Sequence, residues 1–168
     1  MYYLNCFFVY SILGFLLETT VSFVSKNNFQ SGILYGPWTP IYGIGVIVIL
    51  LISNYFFLNL HMPRWLETII VFFVVSIFLS CLELISGILI EKIFDIKFWN
   101  YSSHKYNIGS YISIEMTLIW GLVSIIFIYL INPIFNNIIK LIPKFISILL
   151  LISIICDVIL TFYFKLKK

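Results

Sequence analysis

The sequence predicts an all-α, polytopic membrane protein with about five transmembrane helices. Three observations carry this. Of 168 residues, 62% are hydrophobic and only 10% are charged, whereas soluble domains carry about 25% charge. The mean hydropathy is +1.10. Five apolar runs each approach or exceed the roughly 20 residues that cross a bilayer as a helix. With so little charge a soluble fold of this length could not cover its surface. One integral membrane domain over 1–168 is the expected organisation. The net charge of +3 is too small to point to nucleic acid, and the basic residues read as topology signals.

The runs fall at about 2–24, 41–60, 66–90, 111–131 and 144–164. In the first, Ser11, Gly14, Glu18 and Ser22 lie three or four residues apart, on one helix face. Small and polar stripes are how membrane helices pack, so Glu18 should face protein. Next comes Gly32 to Gly45, GILYGPWTPIYGIG, with four of the eight glycines and Pro37 and Pro40. Proline removes a backbone donor and glycine permits positive φ, so this stretch is not the start of a regular helix. Such backbone survives in lipid only where protein or water covers it. It reads as a broken or re-entrant entry to the second span, and as the floor of a site.

The third run repeats the design of the first, with Ser76, Ser80, Glu83 and Gly87 on one face. A polar and aromatic loop follows, FDIKFWNYSSHKYNIGSY. The fourth run carries Glu115 near its start and then Trp120-Gly121. Pro133, Lys140, Pro143 and Lys144 mark the last turn. The fifth run carries Ser153, Asp157 and Thr161, spaced by four. The N-terminus has no basic n-region or small-residue cleavage site and reads as a first span rather than a signal peptide. Cys6, Cys81 and Cys156 lie in apolar runs without metal-like spacing and read as buried free thiols. His61 and His104 fall on opposite sides of the membrane, which argues against a histidine-rich metal site; each reads as a solvated loop residue.

Alternating loops place Lys26, Lys92, Lys97, Lys105, Lys165, Lys167 and Lys168 on one side, and Arg64, Lys140 and Lys144 on the other. The positive-inside rule then puts the Gly/Pro stretch, the aromatic loop and the C-terminus in the cytoplasm, with the N-terminus outside. On that topology Glu18, Glu83, Glu115 and Asp157 all lie roughly 6–12 Å inside the same face. Each acid in a span costs roughly 2.5–3.5 kcal/mol on insertion scales, and no basic residue lies mid-span to neutralise them. A cytoplasm-facing polar cavity for a cation, a polar solute or protons explains them; individually satisfied acids are the plainer alternative. An internal echo is also visible. Glu18, Gly32 and Tyr42-Gly43 are followed in the same order by Glu83, Gly109 and Trp120-Gly121, as in a parallel repeat.

The motifs GxLYGPxxPIYGxG, LELxxGxxxEKxF, FWxYS, YNIGxYIS and WG together resemble one family, the CmpB-like ABC-transporter type IV permeases. The resemblance runs from about Phe8 to Gly121 and more loosely to Asp157. It implies a permease in the bacterial cell membrane. It also implies importance for Glu18 near the end of the first span, and for Gly32, Tyr35, Gly36, Pro37, Pro40, Tyr42 and Gly43 in the first motif. Later positions are Glu83, Glu91, Trp99, Tyr101, Asn107, Gly109, Glu115, Trp120 and Gly121. The family's Asn-Arg pair before the first glycine is replaced here by Gln30-Ser31.

Three functions follow. The first is a membrane component of a transport system. The chain lacks a GxxxxGK loop and cannot itself hydrolyse ATP. It needs no cofactor of its own, ATP entering only through a separate ATPase subunit. Five spans are few, so a homodimer or second membrane subunit would complete it. The second is a membrane-embedded enzyme using the carboxylates on a lipid-like substrate, although no HExxH or serine elbow is present. The third is a non-catalytic assembly factor or sensor held together by its polar layer. Trp99 and Tyr101 suit an interfacial anchor in the bilayer.

Overall fold

The computed structural model describes residues 1–24, 32–59 and 61–165. Lys26, the Gln30-Ser31 pair, Lys167 and Lys168 lie outside the described residues. Apolar runs become helices because a backbone in lipid must satisfy its own hydrogen bonds. The elements are α1 (Tyr2–Val24), α2 (Pro40–Asn59), α3 (Arg64–Phe94), the two-residue strands β1 (Asn107–Ile108) and β2 (Ile112–Ser113), α4 (Ile114–Ile126), a π-helical turn (Phe127–Ile131), α5 (Asn132–Leu141) and α6 (Lys144–Lys165). Among the described residues five helical segments are long and apolar enough to cross a membrane, the fourth being Ile114–Leu141. The chain divides into two compact units, Met1–Val46 with Asn137–Lys168, and Ile47–Asn136.

In the first unit α2 begins beside the middle of α1. A Cβ added to Gly43 would lie 2.3 Å from Ser11 Oγ and 2.4 Å from the Phe7 carbonyl oxygen. One added to Gly14 would enter the Tyr42 side chain. These glycines set the closeness of the crossing, as small residues do between membrane helices. Ten residues of α1, Phe15–Val24, run on past it, roughly 15 Å of helix. The Gly/Pro stretch is non-helical over 32–39, and Pro40 opens α2, one residue before the start of about 41 that the sequence predicts. Proline suits the first helical position, where its missing N–H has no partner to lose. Phe8, Leu34, Trp38 and Ile154 form a core cluster that draws α1, the Gly/Pro segment and α6 together.

In the second unit α3 and α4 pack with Gly121 against Ser76 and Phe72, and Ser80 bonds Thr117 at 2.7 Å. α3 overshoots this contact and ends at Asp95 in the left-handed region, φ 54°, whose N–H returns to the Glu91 carbonyl. The connector folds back on the overshoot, with Trp99 and Tyr111 seated on Gly87. The β1–β2 hairpin turns through Gly109 (φ +58°) and Ser110 (φ +63°), the paired positive φ of a primed turn. The fourth span therefore starts at Ile114 rather than 111, with Ser113 as N-cap accepting from Met116 N–H at 3.2 Å. Pro133, assigned to a turn by sequence, lies inside the helix. The π-helical turn just before it, closed by Asn132 N–H to the Phe127 carbonyl, widens the register where a proline ring would otherwise strike a carbonyl.

Candidate functional site

Three carboxylates inside the spans are each met by donors from the protein. Asp157, 7% exposed, stands eight residues before the end of α6, about 12 Å along the axis. Its Oδ1 accepts from Tyr35 N–H at 3.0 Å and from the Thr161 hydroxyl at 3.3 Å. Its Oδ2 accepts from Gly36 N–H at 2.8 Å and from Trp38 Nε1–H at 2.7 Å. Trp38 reaches it because the chain doubles over Pro37: Trp38 N–H bonds the Gly36 carbonyl at 2.9 Å, and its indole covers Gly36 so closely that a Cβ there would touch the ring at 2.4 Å. Pro40 then starts α2. The Lys165 ammonium closes the other side, 2.7 Å from the Ile33 carbonyl and 5.5 Å over the exposed Tyr35 ring. A Cβ added to Gly32 would meet nothing within 4 Å among the described residues. The Gly/Pro segment is thus a non-helical loop hung on one buried acid. The stated sequence motif and Asp157 belong to a single feature, which spacing could not have shown.

Glu18 and Glu83 occupy like positions in different units. Glu83, 5% exposed, accepts from the Tyr101 hydroxyl on Oε1 at 2.8 Å and from Trp120 Nε1–H on Oε2 at 3.0 Å. Glu18 is half-buried, with the Tyr42 hydroxyl as its hydrogen-bond partner. Glu115 departs from the expectation of a buried acid. Its side chain is 46% exposed, in the first turn of α4, with the His104 ring nitrogen 3.3 Å away. The reason is the later start of the fourth span, which leaves Glu115 at the helix mouth, where a carboxylate suits the helix dipole. His104 correspondingly is not a free loop residue. It also meets the Ser113 hydroxyl at 3.2 Å and lies edge-on to Tyr101 at 5.4 Å.

The remaining motif residues shape the second connector. Trp99 Nε1–H bonds the Tyr111 carbonyl at 2.9 Å. Asn107 bonds the His104 carbonyl at 2.7 Å and accepts from Ser110 N–H at 3.3 Å, bracketing the turn at Gly109. Glu91 lies 3.6 Å from the Lys97 ammonium. It also hydrogen-bonds Tyr111, which pushes that phenol above its usual range. Sequence reasoning passed over two polar pairs. Asn5 bonds the Ile139 carbonyl at 3.2 Å and the Ser147 hydroxyl. Glu67, 4% exposed, pairs with Arg64 at 3.0 Å, a three-residue spacing that was visible. Of the three free thiols only Cys6 is buried; Cys81 and Cys156 are exposed on their helices.

A family model described as "Putative ABC-transporter type IV" matches residues 5–162, nearly the whole chain. The chain belongs to this family. The matched region takes in Glu18, Glu83, Glu115 and Asp157 and every motif residue above. No curated protein and no solved structure gave a match. Together with its five apolar helices, family membership makes this an integral membrane protein.

Proposed function

We propose that this chain is the membrane component of an ABC-type transport system, working with a separate ATPase subunit. The observation that supports it is the way acids inside the spans are met. Beside donors on the helices, and in place of basic residues, two of them take donors from segments that fold back between helices: the Gly/Pro loop on Asp157, and Tyr101 of the second connector on Glu83. A connector hung on an intramembrane carboxylate links the span interior to the loop face, where an ATPase would dock. Intramembrane acids commonly mark solute and ion paths. In this reading Glu18 in the first unit and Glu83 in the second each mark such a path, and both connectors face the cytoplasm. The N-terminus lies outside a bacterial cell membrane and the C-terminus inside. A homodimer or second membrane subunit completes the path, and ATP reaches the system only through the partner.

A mild-detergent pull-down from native membranes with mass spectrometry tests this. A stoichiometric ATPase supports it, and a self-dimer alone, or nothing, overturns the ABC reading. One observation favours a non-catalytic scaffold instead: Asp157 and Glu83 find all their donors within the chain. Glu18→Gln and Glu83→Gln separate the two. Transport expects folded, inactive protein, and a scaffold expects lost stability. Folded and fully functional variants would remove both acids from either role.

A further inference from the structure

Two helix pairs are built to one plan. Phe7, Ser11 and Glu18 on α1 recur with identical spacing as Phe72, Ser76 and Glu83 on α3. Thr39, Tyr42 and Gly43 at the start of α2 recur as Thr117, Trp120 and Gly121 on α4. The contacts recur as well. Each glycine seats against the phenylalanine and serine of its own pair, and the aromatic before it donates to the glutamate.

The pairs differ in how completely the acid is met. In the second, Tyr101 from the connector supplies a second donor to Glu83 at 2.8 Å, and Glu83 is buried. In the first, Tyr42 is the one donor to Glu18 among the described residues, and Glu18 stays half-open. The cause is the connector's other attachment: residues 35–38 are drawn to Asp157 on α6. The shortfall extends along the contact. Ser11 Oγ and Thr39 Oγ1, on residues 0% and 9% exposed, are enclosed without hydrogen-bond partners among the described residues. Their counterparts are satisfied, Ser76 by the Phe72 carbonyl and Thr117 by Ser80 and the Ser113 carbonyl. Enclosed polar atoms without partners call for an explanation.

We propose that Glu18 is the ligand-accepting carboxylate of this chain. Its ligand presents an O–H or N⁺–H donor, seated as the Tyr101 hydroxyl is seated on Glu83. A carboxylate takes such donors in short charge-assisted bonds, and the Tyr42 hydroxyl leaves acceptor capacity on Glu18 for one. The second pair is the same site closed from within. The inference rests on the transport reading only for what the site is used for; the site itself rests on the geometry.

The test uses the full chain in lipid nanodiscs and dicyclohexylcarbodiimide, an apolar reagent for carboxyl groups in membranes, with peptide mass mapping. Glu18 should be modified and Glu83 at less than a tenth of its rate. Tyr101→Phe, which removes one oxygen and no carbon, should bring Glu83 within about threefold of Glu18. Methylammonium or glycerol added first should slow labelling of Glu18, the former identifying an N–H donor and the latter an O–H donor. Equal labelling of both acids in the unaltered protein, an unreactive Glu18, or no protection by either compound overturns the proposal. The contrast in the unaltered protein decides the matter even if Tyr101→Phe folds poorly. A failed contrast leaves a co-purified ATPase standing, and a missing ATPase leaves the contrast standing.

Discussion

Replacing Asp157 by asparagine should free the Gly/Pro loop without unfolding the helices. The amide keeps one acceptor oxygen. With Oδ2 exchanged for nitrogen, Gly36 N–H and Trp38 Nε1–H lose their acceptor, at present 2.8 and 2.7 Å away. An unmet buried donor costs about 1–3 kcal/mol, so two give roughly 2–6 kcal/mol by the same measure. A neutral amide is cheaper to bury than a carboxylate, which offsets part of this. A net loss of about 3 kcal/mol is the working figure, or on the order of 150-fold in an opening equilibrium. Hydrogen exchange of peptides covering 32–38, in detergent, reads that equilibrium directly. Exchange there should rise by about two orders of magnitude, with the α3–α4 peptides unchanged. Thr161→Val, which removes only the 3.3 Å bond, should raise it a few-fold. If Asp157→Asn changes loop exchange by less than about threefold, the loop is held by its apolar cluster and the acid is incidental.

Gly43→Ala should destabilise more than Gly121→Ala, within the roughly 1–3 kcal/mol range of overpacking. The new methyl at Gly43 meets the Phe7 backbone oxygen, whereas at Gly121 it meets only the side chains of Ser76 and Phe72; melting temperatures in one detergent compare them, and equal losses would refute the ranking. Tyr111 carries a raised phenol pKa because Glu91 accepts a hydrogen bond from its hydroxyl. Its contribution to holding the connector is therefore present below the unfolded value near 10 and lost as pH rises through the folded one. Glu91→Gln should move the Tyr111 titration down in carbon-13 NMR, and an unmoved midpoint would count against the bond. A single cysteine at Ser102, with Cys6, Cys81 and Cys156 replaced, should react with an impermeant maleimide only from the cytoplasmic side; reaction from outside reverses the proposed orientation.

The spans were legible because hydrophobicity over twenty residues decides them, and the helix-packing stripes followed from spacing alone. Glu83 and Ser80 face α4 as their stripe implies. Helix ends were less legible, since they depend on turn chemistry. Ser113 as N-cap moved the fourth span's start, and a π-helical turn carried the helix through Pro133, where sequence had ended it. The acids illustrate the limit best. Sequence could place Glu18, Glu83 and Asp157 inside their helices, because position along a run is counted in residues. It could not pair them with all their donors, because several of these, Tyr35, Gly36, Trp38 and Tyr101, sit on connectors whose folding is set by the pairing itself. The Gly/Pro loop could in principle have covered Glu18, as the second connector covers Glu83. It is bound to Asp157 because that carboxylate takes two backbone N–H groups and an indole together, and the Lys165 ammonium adds a fourth tie at the Ile33 carbonyl. Four polar ties outweigh the one that a single tyrosine makes to Glu83. The echo between the two helix pairs is therefore strongest in the helices and broken in the connectors, and the break leaves one glutamate half-open.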